Sequence, residues 1–144
     1  MRIAVIDGQG GGIGKHITER LRRELPEHVE ILALGTNALA TSVMMKAGAN
    51  EGASGENAVV WNAQRADLIA GTLSILIPNA MLGELTPRMA EAIASSPAVK
   101  IVLPLVRGRF ELLGLRAEPL PHLVDELVDR VKEILGDCCK AREP

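Results

Sequence analysis

The chain has 144 residues, enough for one domain with a substantial core but too few for a nucleotide-binding domain plus a separate substrate domain. Hydrophobic residues make up 47%, charged residues 24%, and the formal net charge is −2, as in ordinary folded domains. Aromatic residues account for only 1%, with no tyrosine, which disfavours stacking platforms for nucleic acid and excludes a catalytic tyrosine. Near-neutral charge also argues against a nucleic-acid partner, because phosphate binding needs a basic face.

Apolar runs alternate with amphipathic stretches along the chain, a pattern that predicts alternating strands and helices. The predicted elements, in chain order, are a strand at 3–6, a helix at 13–25, a strand at 29–34, a helix at 37–47, a loop at 49–57, a strand at 58–61, one or two strands at 67–70 and 74–77, a helix at 86–95, a strand at 99–103, an edge strand at 110–115 and a helix at 120–135 ended by Gly136.

Strands that are apolar throughout and separated by helices are typical of a parallel sheet covered on both faces. We therefore predict a single doubly wound, Rossmann-like α/β domain, with an optional antiparallel edge strand. The domain is expected to span residues 1–136, followed by a C-terminal tail at 137–144.

The apolar run at 73–85 predicts a surface covered by another copy, and hence a homo-oligomer, a dimer or higher.

Location and redox state are predicted from the absence of targeting signals and from the cysteines. No stretch approaches the roughly 18 apolar residues of a membrane span, and glycines after Asp7 interrupt any signal-peptide core. Cys138 and Cys139 are adjacent, so they cannot join distant segments, and no spacing suggests a metal site. These features predict reduced thiols in a cytoplasmic protein with no membrane partner and no metal.

The most informative segment is the glycine-rich stretch between the first predicted strand and helix, where residues 8–14 contain five glycines. Glycine lets backbone N–H groups approach an anion closely, and the following helix directs its positive dipole end to the same place. The segment predicts binding of a phosphate, diphosphate or carboxylate; the alternative is a tight turn with close helix–sheet packing. The predicted contact residues are Gly8, Gln9, Gly10, Gly11, Gly12, Ile13, Gly14 and Lys15.

The loop fits no strict phosphate-binding motif. Residues 10–15, GGGIGK, look like the glycine-rich loop of the ParA and nitrogenase iron-protein ATPases, but His16 stands where the magnesium-binding hydroxyl belongs. The spacing G-x-x-x-G-I-G at 8–14 resembles that of short-chain dehydrogenases, and residues 75–80, ILIPNA, are similar to the strand-end Asn-Asn-Ala-Gly segment of that family. Since the chain has no tyrosine, that resemblance implies dinucleotide binding at most, without the family's catalysis.

Polar residues after other strands bear on the choice of nucleotide. The second strand ends at Thr36 and Asn37, where NAD-binding domains usually carry a carboxylate; its absence weakens the case for NAD more than that for NADP. These two side chains could donate to a ribose or phosphate, or Asn37 could simply cap the next helix. Asn62, after the predicted third strand, could contact an adenine edge, and Asn79 lies in the dehydrogenase-like segment.

Four further side chains are candidates with plainer alternatives. Glu84 is the best placed carboxylate for acid–base work, His16 could meet a phosphate or shuttle a proton, and Arg107 and Arg109 could clamp an anionic substrate. For each, the plainer alternative is a solvated surface residue. No catalytic constellation can be assembled from the spacing, so the sequence leaves enzymatic activity open.

Taken whole, the chain resembles a family of short bacterial proteins of unknown function that open with DGQGGGIGK. The family's ALGTNALAT and SMLGE-TP-like segments correspond to residues 33–41 and 81–87, and the chain departs from the pattern at Thr72 and Arg107. The resemblance implies no activity. Two functions remain open: a nucleotide- or dinucleotide-binding protein holding a diphosphate at residues 8–15, or a non-catalytic oligomeric structural or regulatory protein whose glycine loop is only a tight turn.

Overall fold

The computed structural model describes residues 1–141, and its centre is a parallel sheet. The strands run in the spatial order β3-β2-β1-β4-β5, so β1 is central. Their bounds are Arg2–Asp7 (β1), Glu30–Gly35 (β2), Glu51–Ser54 (β3), Leu68–Thr72 (β4) and Val99–Leu103 (β5). Every pairing between neighbours is parallel, which confirms the predicted fold class. Within residues 1–141 the optional edge strand at 110–115 is absent, because that segment is irregular.

Helices cover both faces of the sheet. One face carries α1, α2 and α5, and the other carries α3, α4 and a short 3-10 turn. The bounds are Gly12–Glu24 (α1), Ala38–Lys46 (α2), Glu56–Ala63 (α3), Leu73–Leu76 (the 3-10 turn), Pro87–Ala94 (α4) and Leu120–Lys140 (α5). None of these helices combines the length and the apolar character needed to cross a bilayer.

Alternation along the strands divides the core into two layers. In β1, Ile3 and Val5 pack toward α1 and α5, whereas Ala4 and Ile6 pack toward α3 and α4. All four side chains are essentially inaccessible to solvent, at 0–1% exposure. A strand buried on both faces has to be apolar throughout, which is why β1 could be recognised from its sequence.

Two predicted elements between α2 and β4 are wrong. The predicted loop at 49–57 contains the edge strand β3, and the predicted strand at 58–61 lies inside helix α3. Strand β3 is held by backbone pairing with β2 and has no large apolar side chain, so its sequence carries no strand pattern. Helix α3 contains β-formers, but it buries Val59 and Ala63, one helical turn apart, against the sheet.

Two further boundaries also differ from the prediction. The apolar run at 74–77 forms no strand, because most of it lies in the 3-10 turn that follows β4. Helix α5 does not end at Gly136 but continues to Lys140, so part of the predicted tail is helical. Residues 142–144 of that tail lie outside the described residues, and the domain boundary itself stays a prediction.

Side chains cap the N-termini of α2 and α4, and the cap at Asn37 is one of the two roles predicted for that residue. The Asn37 side chain caps α2 by accepting a hydrogen bond of 2.9 Å from the Ala40 amide. The Thr86 hydroxyl caps α4 by accepting a 3.2 Å bond from the Met89 amide, and Pro87 is the first helical residue. Both caps satisfy amides that have no partner within their helix.

Two glycine-to-alanine substitutions test how closely α1 packs on β1. A Cβ added at Gly14 would lie 2.6 Å from Met44 Sδ and 2.7 Å from Asp7 Cβ, whereas one added at Gly136 would meet nothing within 4 Å among residues 1–141. We expect Gly14→Ala to lower the free energy of unfolding by about 1–3 kcal/mol through overpacking. Gly136→Ala should raise it by about 0.5 kcal/mol, because alanine favours a helix interior. Urea denaturation measures both, and equal effects would contradict the packing described.

Candidate functional site

The candidate site lies at the carboxyl ends of β1, β2 and β4. The chain proceeds from β1 outward through β2 and β3 and then returns to place β4 on the other side of β1. In open α/β sheets such a reversal of strand order creates a crevice beyond the strand ends, and ligands usually bind there. The loop after β1 and the residues after β2 and β4 therefore have the positions of functional residues.

The turn after β1 is short and is closed by the main chain. The Gly11 amide donates to the Gly8 carbonyl over 2.9 Å, and Gly11 has a φ of 71° at the N-cap of α1. A Cβ added at Gly11 would lie 2.8 Å from the Cα of Ala40 in α2. Glycine is therefore required at position 11 by both its left-handed backbone and the approach of a second helix.

The carboxylate of Asp7, the last residue of β1, joins the strand to the helix. Its two oxygens accept hydrogen bonds from the buried amides of Gly8, at 2.8 Å, and Gly14, at 2.7 Å. Burial raises the pKa of the Asp7 carboxyl, and the charge of Glu84 raises it further, while the Gly14 and Gly8 amides oppose the shift. Sequence reasoning missed Asp7 as a site residue, although an acid directly before a glycine loop signals an internal cap for the helix.

Three of the five loop glycines are explained by packing. Gly11 and Gly14 have the close contacts given above, and a Cβ at Gly8 would lie 2.5 Å from Thr36 Oγ1 and 2.6 Å from Met81 Sδ. Gly10 and Gly12 are different, because a Cβ at either position would meet no described residue within 4 Å and neither has a left-handed φ. The tight-turn alternative therefore accounts for Gly8, Gly11 and Gly14 but leaves two glycines without a structural reason.

Three amides at this end of α1 have no protein acceptor. Among residues 1–141, no acceptor receives the N–H groups of Gly10, Gly12 or Ile13, whereas their neighbours in the loop are all bonded. Gly10 and Gly12 are also exposed to solvent, as is the side chain of Lys15 one turn into the helix. This part of the loop can therefore donate hydrogen bonds to an anion without disturbing those of Asp7.

The Glu84 carboxylate lies beside the loop and links it to the end of β2. Its Oε1 accepts three hydrogen bonds: from the Gln9 amide at 3.0 Å, the Thr36 hydroxyl at 2.8 Å and the Asn37 side-chain amide at 2.6 Å. The Gln9 amide lowers the pKa of Glu84, burial opposes this, and the Asn37 and Thr36 donors lower it further. The carboxylate predicted from sequence to be best placed for acid–base work is therefore a stably ionised acceptor.

Glu84 is carried by a compact loop at residues 77–85, which we call the strap. It follows the 3-10 turn after β4 and is anchored by the fully buried Leu85, whose backbone exchanges hydrogen bonds with Asn79 and Ala80. The strap contains four residues with left-handed backbones, Asn79 (φ 64°), Met81 (59°), Leu82 (57°) and Gly83 (88°). A left-handed residue with a side chain costs about 1–2 kcal/mol, so this conformation depends on contacts that hold it.

The structure brings some predicted site residues together and separates others. Thr36 and Asn37 adjoin the loop as expected, and the Asn37 amide also donates to the Gln9 carbonyl over 3.0 Å. Asn62 is not at a strand end: it lies within α3, and its side chain donates to the Ala58 carbonyl over 2.9 Å. Asn79 is not at a strand end either, because β4 ends at Thr72 and Asn79 is a turn residue of the strap.

The remaining candidates lie outside this hydrogen-bond network. His16 is half-buried on α1, and Arg107 and Arg109 are exposed in the irregular segment after β5. Within the described part of the chain none of these three side chains makes a hydrogen bond or an ion pair. Over the same residues no cluster of three or more acidic, histidine or cysteine side chains could hold a metal ion.

These features define a Rossmann-like α/β domain with a glycine-rich strand-to-helix loop. The family model for a domain of unknown function, DUF3842, matches residues 2–136, so the chain belongs to that family. Among solved structures, the chain is similar to one titled as a universal stress protein in complex with cAMP. The two share 17% identity with a TM-score of 0.41, over 69% of this chain and 94% of the other. No curated protein matches the chain.

The junction at Asp7 can be tested through protein stability. Asp7→Ala removes the acceptor of two buried amides, and we expect the free energy of unfolding to fall by about 2 kcal/mol at neutral pH. Asp129→Ala is the matched control, because Asp129 is exposed on α5 and makes no ion pair within residues 1–141. Thermal and urea unfolding of both variants give the comparison. A difference under about 0.5 kcal/mol, the usual range for surface substitutions, would contradict a structural role for Asp7.

Proposed function

We propose that this domain binds a nucleotide by holding its diphosphate on the glycine loop, at Gly10 to Lys15. One observation carries the proposal. The amides of Gly10, Gly12 and Ile13 have no acceptor within residues 1–141, and glycines stand at two of these positions where the fold itself would accept a side chain. A phosphate that approaches the backbone closely gives both features a physical reason.

The electrostatics of the loop favour an anion only at the side that faces away from the Asp7 carboxylate. The N-terminus of α1 carries the positive end of the helix dipole, and anions near such an end gain about 0.3–1 kcal/mol, or more when partly buried. Asp7 already uses the Gly14 amide and adds negative charge on the inner side. A diphosphate is therefore expected to lie over Gly10, Gly12 and Ile13, with the Lys15 ammonium adding attraction from the exposed face of the helix.

The ligand class follows from the same geometry. Mononucleoside diphosphates and the dinucleotides NAD and NADP all carry the diphosphate that the loop would bind, and the neighbouring ends of β2 and β4 would face the nucleoside. The proposal is for binding, in the cytoplasm, and it assigns no reaction. Thermal shift against ADP, NAD and NADP is the first test, since a ligand at 100 times its Kd stabilises by about 2.7 kcal/mol.

Two substitutions in the loop distinguish this mode of binding from that of a P-loop. Gly12→Val should abolish ADP binding by filling the space over the amides, while the fold should tolerate it because a Cβ at this position meets nothing within 4 Å among residues 1–141. Lys15→Ala should weaken binding less, since backbone amides hold the anion. Isothermal titration calorimetry with and without magnesium measures both effects.

Distant controls complete this experiment. Gly136→Val adds the same side chain at another exposed helical glycine, and Lys46→Ala removes a lysine from the last turn of α2. Both should bind ADP as the wild type does. Strong magnesium dependence, or a greater loss from Lys15→Ala than from Gly12→Val, would indicate P-loop behaviour. Unchanged binding by Gly12→Val would place the nucleotide elsewhere.

We also propose that the protein forms a homo-oligomer through the surface beside β5, which is an edge strand of the sheet. In the apolar run at 73–85, Leu82 is 97% exposed, but Ile75 and Leu85 are buried in the core. A denser set of exposed apolar side chains follows β5: Phe110 (51%), Leu112 (39%), Leu113 (91%) and Leu115 (53%). Phe110, Leu112 and Leu115 line one open groove, and exposed apolar surface of this kind often marks a protein interface.

Light scattering at micromolar concentration tests this surface. We expect the wild type to exceed the monomer mass and Leu113→Glu to shift it toward the monomer, because a charge in an apolar interface is poorly solvated. Leu82→Glu is the control, an equally exposed leucine on the strap. A monomeric wild type would refute oligomer formation. Dissociation by Leu82→Glu alone would move the interface to the strap.

A further inference from the structure

Strand β2 ends without the carboxylate that NAD-binding domains usually place there, yet a carboxylate occupies that location. The residues after β2 are Thr36 and Asn37, and both donate to Glu84 Oε1, at 2.8 and 2.6 Å. Glu84 belongs to the strap, which follows β4, and β4 lies on the opposite side of β1 from β2. Glu84 is 48 residues from Thr36 along the chain. The acidic group therefore reaches the β2 end through tertiary contacts, not through the sequence of β2.

The orientation of this carboxylate leaves one of its oxygens available. All three of its protein donors, including the Gln9 amide at 3.0 Å, converge on Oε1. Within residues 1–141 no donor is bonded to Oε2. The side chain is only partly buried, so an oxygen with unused acceptor capacity lies next to the glycine loop.

From this arrangement we infer that Glu84 is the ribose-binding carboxylate of the nucleotide site and selects an unphosphorylated ribose, and therefore NAD over NADP. The inference rests on the proposed nucleotide binding at the loop. A ribose hydroxyl would donate to Glu84 Oε2, in the same way that acidic residues after β2 accept from the ribose of NAD. A 2′-phosphate would instead bring a second negative charge to a fixed carboxylate, with no arginine hydrogen-bonded there among the described residues to offset it.

The strap makes Glu84 a rigid acceptor. Three hydrogen bonds fix one oxygen, and the buried Leu85 next to it anchors the main chain. An acceptor that is already ordered loses little side-chain entropy when a ligand binds. Thr36 and Asn37, which sequence analysis proposed as direct ligand donors, are on this assignment positioning residues that orient the carboxylate.

Titration calorimetry with NAD, NADP, ADP and 2′-deoxy-ADP tests the assignment. For the wild type we expect NAD to bind at least tenfold more tightly than NADP, and ADP about tenfold more tightly than 2′-deoxy-ADP, which lacks the hydroxyl. These wild-type comparisons need no variant and hence no assumption about folding. Glu84→Gln should weaken NAD about tenfold and reduce both preferences toward equality, because the charge that creates them is gone.

Glu91→Gln is the matched control, with the same charge change at an exposed residue of α4, and it should keep the wild-type preferences. Equal affinity of the wild type for NAD and NADP would overturn the assignment while leaving nucleotide binding intact. Tighter binding of both dinucleotides by Glu84→Gln would also overturn it, because Glu84 would then be an internal competitor for the site. No binding of any of the four probes would refute the proposed function itself, and this assignment with it.

Discussion

The two hydrogen bonds accepted by the Asp7 carboxylate fix how the central strand turns into the first helix, and the site is built around this junction. Because a side chain at Gly14 would collide with Asp7, α1 can approach β1 this closely only through glycine. The junction also puts a negative charge at the end of α1 where an anion would bind. An anion would therefore have to bind the amides that Asp7 does not use. The loop thus has a structural part, at Gly8 and Gly14, and a part open to a ligand, at Gly10 and Gly12.

The strap depends on the same region of the molecule. Two of its left-handed residues, Met81 and Leu82, carry large side chains and together cost about 2–4 kcal/mol. Three hydrogen bonds to the ionised Glu84, at about 1.5–3 kcal/mol each, are large enough to offset that cost. The donors come from the β1 loop and from the end of β2, so both of these segments help to hold the strap in its conformation. Loop and strap thus form one polar unit that spans the crevice.

Structural features that depend on neighbouring residues could be predicted from the sequence, whereas features that depend on distant residues could not. The glycine loop and the Asn37 cap are local, and each appears where it was expected. Strand β3 is a polar edge strand formed by pairing with β2, and the β-formers of α3 adopt a helix because that helix packs on the sheet. The contact of Glu84 with Gln9 spans 75 residues, so no motif could reveal it, although Glu84 was singled out for its chemistry.

The proposed recognition of a ribose by Glu84 would draw on both halves of the sheet. In dinucleotide-binding domains whose ribose-binding carboxylate follows β2, the same half of the sheet supplies both that carboxylate and the amides that bind the phosphate. Here the amides belong to the first half, and the carboxylate crosses the switch point from the second half on the strap. The position of Glu84 therefore depends on how Leu85 packs in the layer formed with Ile75 and Met89. On the proposed assignment, changes in that layer, remote from the loop, would shift the acceptor relative to the loop and so alter nucleotide preference without touching the glycines.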